Sequence, residues 1–191
     1  MVKILYVTTV GNTLNFYDDY LMKLRNRGFD VQVASNFNNL NSKFKLDKKG
    51  FKLNQISFSR SPFSISNFTA YKQMKKLISE EKYDIVHVHT PVASFITRLA
   101  LKKKNIKIVY TAHGYHFYKG APLKNWLLFY PLEKYMSKYT DIIININKED
   151  YKLSKEKFKM KKAVFIPGVG IDTNTFSSTT DSEKAELRNE F

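Results

Sequence analysis

The sequence contains no cysteine. Disulfides and thiolate zinc sites are therefore excluded, and the chain fits a reducing compartment. It also lacks any apolar run long enough to cross a bilayer. The opening stretch, M-V-K-I-L-Y-V-T-T-V, is apolar but too short to span, and no small-residue cleavage site follows it. It reads as a first strand, in a protein that is soluble or held at a membrane surface. No G-x-G-x-x-G comes after that strand, which disfavours an ordinary dinucleotide-binding domain. Internal repeats are absent, and low complexity is limited to an enrichment in lysine. Acidic residues are few: 17 Asp and Glu stand against 32 Lys and Arg, for a net charge of +15. The segment from Arg98 to Lys162 alone holds 16 basic and 5 acidic residues. Such a charge suits an anionic partner, whether phospholipid, nucleic acid or a phosphorylated substrate, or else it is a solvated lysine surface.

What is present is a core and a pattern. The 191 residues, 43% hydrophobic and 15% aromatic, suffice for one full domain and exclude disorder. Lys3 to Thr9 predicts a strand, Val10 to Leu14 a polar turn, and the residues to Arg27 a helix. Phe16, Tyr17, Tyr20, Leu21 and Leu24 form that helix's apolar face. Gly28 ends it, and Asp30 to Ser35 is a second strand. Asn36 to Gly50 is a polar loop or loose helix. Phe51 to Phe58 is a third strand, and Phe68 to Glu81 a helix. Asp84 to His89, D-I-V-H-V-H, is a fourth strand with the character of one buried on both faces. Pro91 opens the next helix, whose expected inward stripe is Val92, Phe95, Ile96, Leu99 and Ala100. Strands over Ile108 to Ala112, Asp141 to Ile146 and Ala163 to Ile166 follow, with helices from Leu123 to Lys138 and from Lys148 between them. Asn147 is placed to cap the second of these. Six or seven strands alternating with helices predict an α/β fold, a doubly wound Rossmann-like parallel sheet.

The strands end in polar groups: Thr8, Thr9, Gly11 and Asn12; Ser35 and Asn36; His89 and Thr90; His113 and Gly114; Asn145 and Asn147; and Gly168. Parallel strands bring these to one edge, where open α/β sheets hold their ligands. Hydroxyls, amides and imidazoles suit a sugar or a phosphate. Only Asp150 and Asp172 offer carboxylates nearby, so a paired-carboxylate hydrolase is poorly supported. His87 and His89 share one side of a strand, but no third ligand has motif spacing, and no metal is expected. His116 either lines the site or is simply exposed.

At these residues the chain resembles a family. D-I-V-H-V-H-T-P, Y-T-A-H-G-Y-H-F, N-W-L-L-F-Y-P-L-E-K-Y, Y-T-D-I-I-I-N-I-N-K-E-D-Y and I-P-G-V-G-I-D-T-N-T-F occur in that order. They resemble the N-terminal domain of family 4 glycosyltransferases of GT-B architecture, of the capsule and exopolysaccharide type. The resemblance runs from Met1 to Phe176. It implies a retaining, metal-independent enzyme without a cofactor. Such an enzyme moves a sugar from a nucleotide diphosphate sugar, a UDP-sugar in the first instance, to a lipid-linked (polyprenyl diphosphate) saccharide. By the same resemblance His113 is the catalytic contact to the transferred sugar. Gly11, Asn12 and Thr13 match the family's glycine loop, although the double glycine of many members is missing. With His89, Thr90, Gly114 and His116 they make up the expected acceptor side. The family's donor site lies in a second Rossmann domain with an E-x7-E pattern. Residues 177–191 match only a linker and the start of that domain. The expectation is therefore a truncated product, a fragment or half of a split enzyme, inactive unless a separate C-terminal half completes it.

Leu123 to Lys138 carries Trp126, Phe129, Tyr130 and Tyr135 among Lys124, Lys134 and Lys138. Rings at headgroup level and lysines on anionic phosphates fit an anionic membrane surface. The expected location is the cytoplasm, peripheral at the inner face of the plasma membrane. Packing on the sheet with lysines snorkelling outward is the other reading, since Leu127, Leu128 and Leu132 need burial. A non-catalytic membrane-surface or scaffold subunit of a split glycosyltransferase is the competing function. A nucleic-acid partner is not expected, because no recognised binding module is present.

Overall fold

The computed structural model describes residues 1–102, 104–170 and 180–189, with no side-chain account of residues 183, 187 and 189. Seven strands form one sheet: β1 (Lys3–Val10), β2 (Asp30–Asn36), β3 (Lys52–Gln55), β4 (Ile85–His89), β5 (Lys107–Ala112), β6 (Ile142–Asn145) and β7 (Lys162–Phe165). Six helices accompany them: α1 (Asp18–Asn26), α2 (Ser66–Glu80), α3 (Pro91–Ala100), α4 (Leu123–Ser137), α5 (Lys148–Lys157) and α6 (Asp181–Asn189). The strand order is β3-β2-β1-β4-β5-β6-β7, and every pairing is parallel. The expected α/β Rossmann-like sheet is therefore observed. The chain winds outward from β1 in one direction and from β4 in the other, so the switch point lies between β1 and β4.

Both faces of the sheet are covered, as an all-parallel sheet requires. Alternation along β1 divides the core. Leu5 and Val7 join the larger cluster, with Met74 of α2, Ile96 of α3 and Phe158 after α5. Tyr6 turns the other way, to Leu14, Leu21, Val33, Phe44, Leu46 and Phe51. The polar stretch Asn36 to Gly50 is thus an irregular loop pinned by Phe44 and Leu46, two anchors its composition concealed. Asn147 caps α5 as expected, its Oδ1 accepting the Asp150 N–H at 2.8 Å. Gly28, at φ 86°, terminates the turn after α1.

Several expectations are corrected. A 3₁₀ segment, Gly11–Tyr17, replaces the first turns of the first helix. Its tighter winding rotates Phe16 off the apolar face, leaving it 85% exposed. The stripe of α3 is also broader than expected. Ala93, Ser94, Ile96, Thr97, Arg98 and Ala100 are buried, while Val92, Phe95 and Leu99 are only half-buried. This helix is walled by the sheet on one side and by α2 and α4 on its flanks. On the α4 flank Arg98 is fully buried, its Nη2 donating to Glu133 Oε2 at 2.7 Å. The predicted domain end at Phe176 lies outside the described residues. The side chains described in α6 are exposed.

In α4 the three rings assigned to a membrane surface turn inward. Trp126, Phe129 and Tyr130 are half-buried against the larger core. Trp126 and Tyr130 lie 5.6 and 5.5 Å from the buried Phe117 ring, centre to centre, and Phe129 lies 4.7 Å from His116. A helix apolar on several sides must leave one side out, and α4 buries the rings that pack on Phe117 and His116. Leu123, Leu127, Leu128, Leu132 and Tyr135 are exposed instead, beside the exposed Lys124, Lys134 and Lys138. No helix among the described residues is long and apolar enough to cross a membrane.

Candidate functional site

At the carboxyl edge of β1, β4 and β5 opens a cleft of about 390 Å³, lined by Thr13, Phe16, Tyr17, Thr90, Pro91, Tyr110, His113, Gly114, His116 and Val169. A shallower groove of about 300 Å³ lies between β3 and α2, away from the strand ends that carry polar groups. The cleft gathers five of the expected residues: Thr13, Thr90, His113, Gly114 and His116. Gly11 and Asn12 are not among its walls. Gly11 abuts Phe37 and Leu40, so closely that a Cβ there would meet both at 2.7 Å. Asn12 Nδ2 donates to the Asn39 carbonyl at 2.9 Å, and its Oδ1 accepts the Asn41 N–H at 3.0 Å. Both residues shape the loop beside the cleft rather than the cleft itself.

Thr90 carries the chain from β4 into α3 at φ 64° and ψ 140°. Among the described residues it is the one non-glycine with positive φ. A β-branched residue there is strained by about 1–3 kcal/mol. Its hydroxyl oxygen accepts the Thr9 N–H at 3.0 Å and shares a hydrogen bond with Thr9 Oγ1 at 2.7 Å. Thr9 Oγ1 in turn accepts the Ala93 N–H at 3.3 Å. The pair thus ties the ends of β1 and β4 together at the head of α3.

The turn after β5 needs Gly114 at φ 133°. Beyond it Asp150 fastens the loop. Its Oδ2 accepts the Tyr115 N–H at 3.0 Å and Asn147 Nδ2 at 2.8 Å. The Tyr115 hydroxyl bonds Ser154 at 2.8 Å. Asp150, one of the two carboxylates that the sequence left near the site, is therefore buried and structural. The other, Asp172, lies outside the described residues.

Between these anchors His113 is exposed to the cleft on one side and held on the other. Its Nε2 lies 2.9 Å from the Tyr17 hydroxyl and 3.0 Å from His89 Nδ1. His89 is buried, stacked 4.4 Å from Tyr6 and tilted against His87 at 4.3 Å, centre to centre. His87 Nε2 bonds Thr111 Oγ1 at 2.8 Å. Burial keeps these imidazoles neutral: His87 falls to about 3, aided by His113, and His89 falls well below the ordinary histidine value. His113 is lowered by burial as well, and burial pushes the Tyr17 hydroxyl up to about 12. Among the described residues no three His, Asp or Glu side chains converge as a metal-ligand set. His89 therefore stands behind the site, not in its wall. Tyr17, assigned from sequence to a helix's inner face, is in the wall. Tyr110 and Val169 also line it without a signal in the sequence, apart from their positions on β5 and beside Gly168.

The result is a largely apolar cleft with neutral hydrogen-bonding groups on its floor, chemistry suited to binding a sugar. Comparisons with known proteins agree with that chemistry. The profile of glycosyl transferase 4-like proteins matches residues 3–147. EpsD of Bacillus subtilis (strain 168), named as a glycosyltransferase, is 41% identical over 191 residues, covering 97% of this chain and 49% of EpsD. The UDP-Gal:alpha-D-GlcNAc-diphosphoundecaprenol alpha-1,3-galactosyltransferase of Escherichia coli is 29% identical over 124 residues, 61% of this chain and 32% of that enzyme. The crystal structure of Anabaena HepE in complex with UDP and glucose superposes with a TM-score of 0.63 at 16% identity, covering 100% of this chain and 50% of HepE. The chain thus spans about half the length, or less, of the curated relatives it matches. With its Rossmann-like sheet and the profile match over most of its length, the chain belongs to the glycosyl transferase 4-like family.

Proposed function

We propose that these residues form the acceptor side of a retaining glycosyltransferase of surface polysaccharide synthesis. The enzyme moves a sugar from a UDP-sugar to a polyprenyl diphosphate-linked saccharide. The observation that carries the reading is the cleft at the switch point, where His113 meets Thr90, Tyr17 and His116. The sugar chemistry of the relatives supports it: one is named for a diphosphoundecaprenol-linked acceptor, and HepE holds UDP and glucose. Donor binding is assigned to the part of such a protein that the match to this chain leaves uncovered. The test joins the 191 residues to the uncovered part of EpsD. UDP-sugar turnover with a polyprenyl diphosphate-linked saccharide is expected from the joined protein and not from the 191 residues alone. Turnover by the 191 residues alone would contradict this division of labour, and a folded but inert joined protein would contradict the transferase reading.

A lipid-linked acceptor lies in a membrane, and α4 is the proposed contact. Its exposed leucines offer apolar surface, and Lys124, Lys134 and Lys138 stand among them. Each lysine near an anionic surface contributes about 1 kcal/mol. Changing all three to Glu is therefore expected to weaken binding to phosphatidylserine vesicles by roughly a hundredfold or more at low salt. Leu127→Glu is expected to weaken it further with the fold intact, since that side chain is 71% exposed. Co-sedimentation at two salt concentrations checks this, and equal pelleting of native and variant chains would rule α4 out.

A further inference from the structure

The polar atoms around His113 constrain where its proton sits. His89 Nδ1 and His113 Nε2 are 3.0 Å apart, which admits one proton between them. Two lone pairs would repel there, and two N–H groups would collide. Both rings are neutral, so each carries one N–H. Two arrangements follow. With the proton on His113 Nε2, His89 carries its own on Nε2, which is buried and without an acceptor among the described residues. With the proton on His89 Nδ1, that buried Nε2 is a bare lone pair, and His113 Nε2 accepts. An orphaned buried N–H is the rarer of the two defects. The Tyr17 hydroxyl, 2.9 Å from the same Nε2, can donate to its lone pair in this arrangement or accept from its N–H in the other, so it steadies the ring without choosing the tautomer. With Nε2 engaged, Nδ1 is the ring nitrogen of His113 left free for a ligand.

We propose that His89 is a positioning residue that fixes His113 in its Nδ1–H tautomer while Tyr17 steadies the ring, so that the cleft presents a neutral, oriented N–H donor to an uncharged oxygen of a sugar. The sugar in this statement rests on the function proposed above, whereas the tautomer does not. A ring held in this way does not act as a general base, because its one lone pair already accepts from His89 Nδ1–H. Its use is to hold a sugar oxygen at a defined place and angle. His89 never touches the ligand. It acts through His113 and is itself locked by the Tyr6 ring.

The chain has four histidines, few enough to resolve each ring in a long-range ¹H–¹⁵N correlation spectrum of the ¹⁵N-labelled 191 residues near pH 8. Both His89 and His113 are expected to show a protonated Nδ1 and an unprotonated Nε2. A protonated Nε2 on His113, or an averaged pair of resonances, would overturn the proposal. His89→Phe keeps a ring on Tyr6 and removes the Nδ1–H. In it the His113 nitrogens are expected to shift toward averaged positions, and an unchanged His113 would show that His89 does not position it. Tyr17→Phe removes the hydroxyl at the half-buried rim and is expected to leave the His113 tautomer in place, and averaged His113 nitrogens in it would contradict the assignment of the shared proton to His89. The native spectrum decides the tautomer even where His89→Phe fails to fold. No transferase assay enters this test, so its failure and that of the proposed function are distinguishable.

Discussion

Glu133→Ala is expected to destabilise the fold by about 3–5 kcal/mol, the usual loss when one partner of a buried ion pair is removed. The size follows from what it abandons. Arg98 is fully buried, and among the described residues Glu133 Oε2 is its single charged partner, 2.7 Å from Nη2. Its Nε donates to the Ser94 carbonyl at 3.3 Å, its guanidinium lies 4.4 Å from the Tyr110 ring centre, and Nη1 has no acceptor among the described residues. Without Glu133 an uncompensated cation remains between α3, α4 and β5. Arg98→Met combined with Glu133→Leu removes both charges and is expected to fall far closer to the native stability, since apolar replacement of a buried pair is often neutral. Urea unfolding of the single and double variants measures the difference. A loss below about 1 kcal/mol for Glu133→Ala would mean that water reaches Arg98 and that α4 is docked by its rings alone.

That pair also marks where the sequence stops being readable. The strands were legible because β1, β4 and β5 are short apolar runs closed by Thr, His and Gly, and parallel strands collect their ends at one edge. His116 was left open between lining the cleft and exposure, whereas His113, Thr90 and Gly114, which line it, were reached by that logic. Arg98 was not, because an arginine near the end of a helix reads as a partner for the helix dipole. Its carboxylate lies 35 residues further along the chain. Asn12 was assigned to the site for the opposite reason. It sits beside the site in sequence, and local hydrogen bonds use its polar atoms elsewhere. The orientation of α4 was not decidable from periodicity, since Trp126, Leu127, Leu128, Phe129 and Tyr130 are consecutive and cover all sides. Only the position of Phe117 selects which of them turns in.

His113→Ala is expected to lower turnover of the completed enzyme by about 10²–10³-fold, the scale of removing one preorganised hydrogen-bond donor from a reaction site. The same change is expected to reduce stability by only about 1–2 kcal/mol. The ring is exposed on its cleft side, and the bonds it loses are those to Tyr17 and His89, each of ordinary strength. His113→Asn places an amide N–H near the position of Nδ1 and is expected to recover part of the activity, whereas His113→Gln reaches past it. The most direct measurement is therefore kcat for native, Ala, Asn and Gln proteins at position 113, in the fusion with the uncovered part of EpsD, alongside urea unfolding of each. The account predicts turnover in the order native, Asn, Gln, Ala with nearly constant stability. Native-like turnover in His113→Ala, or a loss of turnover matched by an equal loss of folding, would contradict the claim that this cleft is where the sugar is transferred.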